Sequence, residues 1–438
     1  MQTKILTSSS ASGRAVGYEY TANDRRTLVG QYVGGILGYG DSCRLSGCST
    51  QKDGYILGSD YVGGIAGGLA NNIQDVITGA ENVSVTVNAG YVIGNRYVGG
   101  IVGKNDGNVG GSGEQIYSTI KDCVNNGIAA GYDCYIGGIA GYNGKYGKLQ
   151  NCASYYSDYG QSMLNTIKEK WQAATGDCVG GLAGYNNGTV IFEADASATV
   201  KSVSSVVVGK NFVGGMVGFN DADSKFRGDT SEGKENYKLN YALVGGQIHG
   251  TGDGVGGCIG LNASTDILKQ NLEIRPSSVN GRYCVGGFIG ANVIDPAGTD
   301  VKMTGIRINN VLGNVTGTAF TGGIIGYQRP YAAEQIGQET AVGQGETNLL
   351  RRMLRTVSAG DTGDALLPGL GEGNIPTAVE PSQARGNLFC IENIENSAGS
   401  LDSADTNIPV VADMYAGGVV GYCERNSKLV IVNCKNSG

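Results

Sequence analysis

The sequence has little of what most enzymes, metal sites and membrane proteins use. His249 is the single histidine among 438 residues, and no Cys-x-x-Cys pair is present. One histidine excludes a His-Glu-x-x-His metallopeptidase site and argues against a Ser-His-Asp or Cys-His site. No apolar run is long enough for a membrane-spanning helix, and no block of Lys and Arg indicates a nucleic-acid surface. We therefore expect a non-enzymatic chain with no cofactor, no metal ion, no nucleic-acid partner and no membrane span.

Proline and charged residues are also scarce. The chain has 7 prolines, 16% charged residues and a formal net charge of −7. So few prolines exclude a collagen or a proline-rich linker, and a hydrophobic content of 40% is too high for a disordered chain. The first residues hold no hydrophobic stretch of a secretion signal. We expect a signal or anchor, if the protein has one, to lie outside this sequence.

The cysteines fit no metal-binding spacing. There are eleven of them, an odd number that cannot pair completely within one chain. Cys43 and Cys48 are close enough in sequence for a disulfide to stay open as an alternative. Cys178 and Cys284 occupy a repeat position that elsewhere holds Tyr or Phe, which favours buried, mostly reduced thiols.

Glycine is abundant instead, with 76 residues, and much of it belongs to a repeat. Ten copies of a short motif, Gly-Gly followed by two mostly apolar residues and Gly, run along the chain, as at 63–67. Their irregular spacing and the cost of glycine in helices favour stacked strands over helical hairpins. The glycine pairs are Gly34 and Gly35, Gly63 and Gly64, Gly99 and Gly100, Gly137 and Gly138, Gly180 and Gly181, Gly214 and Gly215, Gly256 and Gly257, Gly286 and Gly287, Gly322 and Gly323, and Gly417 and Gly418.

An asparagine column follows the motif. Stacked coils would place these amides in a hydrogen-bonded ladder, and asparagine tolerates the left-handed backbone of a tight corner. Alternating Val83, Val85 and Val87 indicate half-buried strands. We predict an all-β fold, a right-handed parallel β-solenoid of about ten coils with small helical and loop insertions. The column is Asn105, Asn143, Asn186, Asn220, Asn262 and Asn292.

The repeat resembles the GLUG motif of bacterial surface proteins, which include adhesins and the non-catalytic regions of one family of immunoglobulin A peptidases. The resemblance rests on the Gly-Gly core and on phrases such as Asn151-Cys152 and Asn433-Cys434. It covers most of 30–330 and again 388–438. It implies a β-solenoid and a secreted or wall-attached bacterial protein, and it identifies no ligand.

The repeat pattern divides the chain into four parts. Residues 1–29 are expected to form an N-terminal cap or partial coil, and 30–327 the first solenoid block. Residues 328–387 read as an insertion of loop and basic helix, and 388–438 as further repeats ending in an open partial coil. The repeat is also interrupted at 155–175, where residues 162–171 have the apolar spacing of an amphipathic helix that ends at Trp171.

Three features remain as candidate sites. Asp221 and Asp223, with Lys225 and Arg227 close by, are the best carboxylate pair for cutting an acidic polysaccharide, although a solvated corner explains them more simply. Arg227, Gly228 and Asp229 form an integrin-type tripeptide, a short match with a high chance of coincidence. Trp171 is a possible partner contact or an anchor on the solenoid wall. His249 is expected to be a corner residue.

These observations predict a structural or adhesive module at the bacterial cell surface, outside the cell. The solenoid would be a non-catalytic scaffold that presents loops to a protein or glycan partner. One alternative is a filament subunit that self-associates end to end through open solenoid edges. The other is a β-helical carbohydrate-active enzyme.

Overall fold

The structure is a computed structural model with a solenoid of stacked strands. It describes residues 4–436 except 8–9, 12–13, 17, 21–25, 29, 42, 52–53, 71–75, 79–86, 89, 110–112, 114, 156–175, 193–200, 204–205, 229–240, 245, 268–271, 277, 295–300, 305, 311–313, 331–388, 393–394, 399–409 and 424–428. Within those ranges every regular element is a β-strand. The all-β prediction is therefore confirmed.

The strands are short, and most have two to five residues. The first half of the chain contains β1 (Lys4–Thr7), β2 (Ser10–Ala11), β3 (Arg14–Val16), β4 (Tyr18–Tyr20), β5 (Arg26–Leu28), β6 (Gln31–Gly34), β7 (Leu37–Asp41), β8 (Cys43–Ser46), β9 (Ser49–Thr50), β10 (Tyr55–Leu57), β11 (Asp60–Gly63), β12 (Ala66–Ala70), β13 (Val76–Thr78), β14 (Val87–Asn88), β15 (Tyr91–Gly99), β16 (Val102–Asn105), β17 (Asn108–Val109), β18 (Gln115–Ile116), β19 (Ser118–Lys121), β20 (Val124–Asn125), β21 (Ile128–Gly137), β22 (Ala140–Asn143), β23 (Gly147–Gln150), β24 (Ala153–Ser154), β25 (Asp177–Gly180), β26 (Ala183–Asn186) and β27 (Thr189–Phe192).

The second half continues the same order. It contains β28 (Lys201–Val203), β29 (Val207–Gly209), β30 (Val213–Gly214), β31 (Val217–Asn220), β32 (Lys225–Gly228), β33 (Tyr241–Val244), β34 (Gln247–Gly250), β35 (Val255–Gly256), β36 (Ile259–Asn262), β37 (Asp266–Ile267), β38 (Leu272–Arg275), β39 (Ser278–Asn280), β40 (Tyr283–Gly286), β41 (Ile289–Ile294), β42 (Val301–Thr304), β43 (Ile306–Asn310), β44 (Val315–Gly322), β45 (Ile325–Pro330), β46 (Phe389–Glu392), β47 (Glu395–Ala398), β48 (Val410–Gly417), β49 (Val420–Cys423), β50 (Leu429–Val432) and β51 (Lys435–Asn436).

These strands form long parallel sheets that run along the solenoid. We number the turns of the chain, or coils, by their glycine pairs, from coil 1 (Gly34) to coil 10 (Gly417). Sheet 1 has 15 strands and precedes the glycine pair in each coil, and sheet 2 has 10 strands, β7 to β49, and follows it. Sheet 3 (8 strands, β1 to β37), sheet 4 (5, β2 to β24), sheet 5 (6, β28 to β51) and sheet 6 (3, β42 to β50) complete the wall. Two antiparallel hairpins, β4 with β5 and β17 with β18, project from it. The parallel β-solenoid is thus confirmed.

Each motif is a tight arch between sheet 1 and sheet 2. A Cβ atom on Gly99 would overlap the carbonyl oxygen of Val102, and one on Gly103 would overlap the backbone of Tyr61 in the previous coil. A Cβ atom on Gly100 would overlap the carbonyl oxygen of Gly138 in the next coil. These three glycines therefore sit where backbone lies against backbone, and a residue with a Cβ atom does not fit there.

The ten glycine pairs lie at one equivalent position. Gly63 pairs in register with Gly34 on one side and with Gly99 on the other. The same register continues through Gly137, Gly180, Gly214, Gly256, Gly286, Gly322 and Gly417. The coils therefore stack one repeat on the next without a shift at this corner.

The left-handed residue of the corner is the aromatic one, not the asparagine that we expected there. Tyr61, Tyr97 and Phe212 have φ values of 56°, 56° and 53°. Non-glycine residues pay about 1–2 kcal/mol for this conformation, so a compensating contact is needed. For Tyr61 and Tyr97, ring stacking between coils is such a contact, whereas Cys178 and Cys284 adopt the same φ at this position and have no ring. Among the asparagines, Asn151 and Asn433 have positive φ, and they lie at a different corner.

The interior is narrow and apolar. Val62, Val98, Ile65 and Ile101 are fully buried, and their equivalents continue the same cluster along the solenoid. Alternate residues of each strand point inward, as the period-two pattern predicts. The core is a column of β-branched and leucine side chains rather than a globular centre.

Several expectations concern parts that the structure does not describe in full. The predicted helix at 162–171 lies outside the described residues, as does most of the 328–387 insertion. Within 1–29, β1, β2 and β3 pair in parallel with β8, β9 and β10, so this part contributes a partial coil. In the described ranges, no helix has the length and hydropathy needed to cross a bilayer.

The arch generates a first prediction. We expect Gly99→Ala to lower the free energy of unfolding by about 3 kcal/mol, because the backbone of Val102 must move. Gly113 is the matched control: it has open space around it and a φ of 82°, so Gly113→Ala should cost only about 1–2 kcal/mol. Urea unfolding followed by circular dichroism measures both, and equal effects would contradict the arch.

Candidate functional site

The asparagine column forms a continuous ladder of buried amides. In each step the Nδ2 of one coil donates to the Oδ1 of the next. The Nδ2–Oδ1 distances of the successive steps are 2.8 Å (Asn105 to Asn143), 2.7 Å (Asn143 to Asn186), 2.8 Å (Asn186 to Asn220), 2.9 Å (Asn220 to Asn262) and 2.7 Å (Asn262 to Asn292). A sixth bond of 2.7 Å reaches the Oε1 of Gln328, a member that the sequence pattern missed. All six asparagines are fully buried.

The ladder has a direction and a defined start. Every donor points toward the C-terminal coils, so the amide dipoles align and polarise one another. At the other end, the Oδ1 of Asn105 is buried without a hydrogen-bond partner. The reason is the residue in register with it in coil 2, Leu69, which has no donor to offer.

A second polar ladder lies on the residue before the aromatic position. Arg96 Nε donates to Asp60 Oδ1 at 2.9 Å, and this hydrogen bond raises the pKa of Arg96. Farther along, Asn211 Nδ2 donates to Asp177 Oδ1 at 3.0 Å. Asn211 Oδ1 accepts from the backbone N–H of Asp253 at 2.8 Å.

This second ladder ends on an ion pair. Arg282 donates through two nitrogens to Asp253, at 2.9 and 3.2 Å, and the Asp253 side chain is 0% exposed. The sequence analysis missed this column because its residues change type from coil to coil. Its only signal was a polar residue directly before the aromatic one.

Aromatic rings form a third column beside these two. Ring centroids of Tyr32 and Tyr61 are 4.5 Å apart, those of Tyr61 and Tyr97 4.6 Å, and those of Tyr97 and Tyr135 5.2 Å. In the middle coils the rings are largely buried, whereas Tyr39, edge-on to Tyr32, is 50% exposed and Tyr415 in coil 10 is 44% exposed. Both ends of the array therefore offer tyrosine rings to solvent.

Four cysteines define a further corner. The thiols of Cys48, Cys123, Cys152 and Cys434 each donate to the carbonyl two residues earlier, at 3.7, 3.2, 3.4 and 3.4 Å. Each follows a residue with positive φ: Gly47, Asp122, Asn151 and Asn433. The Asn-Cys phrase thus has a local structural role.

Three other cysteines are inert core residues. Cys178, Cys258 and Cys284 are buried free thiols. Burial raises the pKa of each well above its usual value. Such thiols are protonated at neutral pH and react slowly, as expected of small hydrophobic side chains.

The two candidate carboxylates, Asp221 and Asp223, lie in different environments. Asp221 accepts a short hydrogen bond from the Tyr185 hydroxyl, and burial raises the pKa of its carboxyl. The Asp223 side chain is 69% exposed and lies 3.8 Å from Lys145 Nζ. Lys225 is exposed in β32. One carboxyl is therefore held inside the corner and the other is solvated.

The remaining candidates are only partly visible. Arg227 and Gly228 belong to β32, whereas Asp229 and Trp171 lie outside the described residues. His249 is exposed in β34 and lies in register between Val208 and Asn280. Across the described ranges no three His, Cys, Asp or Glu side chains group as metal ligands would.

Comparisons with known proteins give no counterpart for this arrangement. No protein-family model, curated protein or solved structure matches the chain.

The amide ladder generates a second prediction. Asn186→Ala removes two ladder bonds, leaves the buried Oδ1 of Asn220 without its donor, and leaves the Nδ2 of Asn143 with only its longer bonds to Gly147 O and Thr189 O, so we expect a loss of about 2–4 kcal/mol. Asn187→Ala is the matched control, because the neighbouring Asn187 Oδ1 has no hydrogen-bond partner; it should cost less than about 1 kcal/mol. Chemical unfolding of the two variants compares them directly. A ladder asparagine that tolerates alanine as well as its neighbour does would refute this role.

The pKa of Asp221 generates a third prediction. A carboxyl whose pKa is raised in the folded state binds its proton more tightly there, so stability is greatest at low pH and falls as pH rises from about 4 through the raised pKa. We expect Asp221→Asn to remove part of this fall. Asp223→Asn should change it much less, because burial is the largest cause of the raised pKa of Asp221 and the charge of Asp223 the smallest. Thermal midpoints between pH 4 and 8 test this, and identical pH profiles for all three proteins would rule it out.

Proposed function

We propose that the protein is a non-catalytic scaffold, structural or adhesive, at the surface of a bacterial cell. Its solenoid holds corner loops and tyrosine rings in fixed positions for a protein or glycan partner. The observation that carries the proposal is that the buried polar side chains of the two ladders bind other residues of the solenoid itself. In both polar ladders they bond to residues of the next coil, at the equivalent position in the amide ladder and for Asp60 with Arg96, and these bonds serve stacking.

The buried carboxylates support this assignment. Asp60 and Asp253 are held by arginines of the following coil, and Asp177 by Asn211. A general acid or base needs a cleft where it meets a substrate. These side chains instead face partners in the stack, so their charge stabilises the corner.

The exposed tyrosines give the scaffold a binding surface. Tyr39 is half exposed beside Tyr32, and Tyr55 stacks on Tyr91 at 4.9 Å on the outer face of sheet 1. Tyrosine presents a rigid apolar ring and a polar hydroxyl at low entropic cost, which suits protein and glycan contacts. A rigid array of such rings favours an adhesive role.

A fourth prediction tests the scaffold. On arrays of cell-surface glycans and matrix proteins, we expect saturable binding without turnover of any bound glycan. Tyr39→Ala should weaken that binding about tenfold, as for a central aromatic contact. Val109→Ala, at another exposed apolar residue, should leave it unchanged. Binding that Tyr39 does not influence, or consumption of a glycan, would contradict the proposal.

The filament alternative meets a topological obstacle. In coil 1 the chain passes from β7 to β8 and β9, which pair with β1 and β2 on their outer side. In coil 10 it passes from β49 to β50 and β51. Suppose that a second copy stacked with its β6 on β48 and its β7 on β49. Its β1 and β2 would then lie at the same level of the solenoid as β50 and β51 of the first copy, and the two pairs of strands would compete for that place. Molecular mass that grows with concentration in sedimentation would favour the filament over an isolated scaffold.

The enzyme alternative depends on Asp221. A buried carboxyl with a raised pKa near a solvated one is the pattern of an acid and base pair. Turnover of an acidic polysaccharide that is lost in both Asp221→Asn and Asp223→Asn would support it.

A further inference from the structure

One face of sheet 3 is directed away from the core of the solenoid. The central residue of its strands is buried in coil 1 and in coils 3 to 6, where it is Leu45, Ile120, Leu149, Val190 and Phe226. Because successive residues of a strand face opposite sides, the residues directly before and after these point outward. Sheet 3 therefore presents two outward columns, a first one before the core column and a second one after it.

These outward columns carry positive charge. In register along the first column lie Arg44 in coil 1, Lys148 in coil 4 and Lys225 in coil 6. Lys121 lies in the second column, in coil 3. Arg44 and Lys225 are exposed, and the two other side chains are half-buried. At one strand spacing per coil, the cations of the first column span about 24 Å. We call this surface the basic face.

The cations of the first column are available to a ligand. In the described part of the chain, no ion pair includes Arg44, Lys148 or Lys225. Carboxylates lie at the margins of the basic face, where Asp266 ends the first column in coil 7 and Asp122 occupies the corner after the second column. In a chain with a formal net charge of −7, a face that gathers cations favours an anionic ligand.

Neutral side chains between the cations suit a sugar chain. Thr119 and Thr189 occupy the first column in coils 3 and 5, and both are half-buried. Lys148 Nζ lies 5.3 Å from the centroid of the Tyr117 ring, and the Tyr146 ring meets that ring edge-on at a centroid distance of 6.3 Å. A hydroxyl binds the polar edge of a sugar, and a tyrosine ring packs on its apolar C–H face.

We propose that the basic face, from coil 1 to coil 6, binds a linear acidic polysaccharide that lies along the solenoid axis. The cations of the first column bind its carboxylates or sulfates, and the threonines and Tyr117 contact its sugar rings. Each surface cation contributes little alone, so the affinity comes from several contacts with one polymer chain. The inference names a ligand class for the scaffold and rests on the binding function proposed above.

The spacing of the cations distinguishes this ligand from a nucleic acid. Arg44 and Lys148 are three coils apart, about 14 Å, and Lys148 and Lys225 are two coils apart, about 10 Å. A nucleic-acid strand carries a phosphate about every 3.4 Å, so this column would leave most phosphates without a cation. An acidic polysaccharide separates its anionic groups by whole sugar rings, which matches the sparse cations better.

The probe is a labelled hyaluronan oligosaccharide that is long enough to cover about 24 Å, since every second sugar of this polymer carries a carboxylate. We expect saturable binding to the full chain that weakens as the salt concentration rises. The same oligosaccharide with its carboxyl groups reduced to alcohols should bind about tenfold more weakly. Equal binding of both forms, or binding of neither, would overturn the proposal. Tighter binding of a single-stranded DNA of the same length would also overturn it.

Three variants locate the site. Lys148→Gln and Lys225→Gln each remove one cation of the first column, so we expect each to weaken binding about threefold and the two together about tenfold. Lys210→Gln is the matched control, because it removes the same charge from an exposed lysine that follows a strand of sheet 1; it should bind as the parent does. All three side chains reach solvent, so circular dichroism should be unchanged. Double-variant binding equal to that of Lys210→Gln would overturn the assignment.

The basic face and the scaffold function fail separately. Tyr39 belongs to β7 of sheet 2, outside the basic face. Its variant is compared on the uncharged glycans and matrix proteins of the arrays, and the lysine variants on the acidic oligosaccharide. Shortening of the bound oligosaccharide would contradict the non-catalytic scaffold and leave the basic face in place. Array binding that depends on Tyr39, together with oligosaccharide binding that the lysines do not influence, would leave the scaffold in place and overturn the basic face.

Discussion

Glycine lets two strands of each coil touch through their backbones, and the rest of the structure depends on that contact. Gly99 lies against the carbonyl of Val102, and Gly103 against the backbone of Tyr61 one coil earlier. The first contact closes the arch, and the second fixes one coil on the next. Because both leave no room for a Cβ atom, neither the turn nor the register can shift without losing close packing. The variable stretches of the chain are then accommodated between arches, where hairpins and loops leave the wall.

Because the register is fixed, equivalent side chains of successive coils lie in columns along the solenoid. Each column has its own chemistry. Buried amides bond to amides, carboxylates meet arginine or asparagine, and rings stack on rings. Each column offsets a cost that the fold imposes: the aromatic column accompanies the left-handed backbone of Tyr61 and Tyr97, and the ladders satisfy polar groups that the stack buries. The columns also show where the repetition stops. The buried Oδ1 of Asn105, which lies in register with Leu69, has no hydrogen-bond partner.

The sequence predicted the features that recur with one residue type. The glycine pairs and the asparagine column are visible because one residue type recurs at the same motif position in most coils, and together they were enough to predict the solenoid. The second polar ladder was not visible, since its position holds aspartate at Asp60 and Asp253, arginine at Arg96 and asparagine at Asn211, and no single residue type recurs along it. The left-handed tyrosines were unexpected because propensity favours asparagine there, and ring stacking overrides it.

The central claim is that neighbouring copies stack in register at one strand spacing each, and spin-label distances test it most directly. Arg44, Thr189, Lys225 and Asp266 occupy one column of sheet 3, in coils 1, 5, 6 and 7. With one genetically encoded label at 44 and a second at 189, 225 or 266, the account predicts distances of about 19, 24 and 29 Å, since each coil adds about 4.8 Å. Distances that do not rise in equal steps of this size would contradict it.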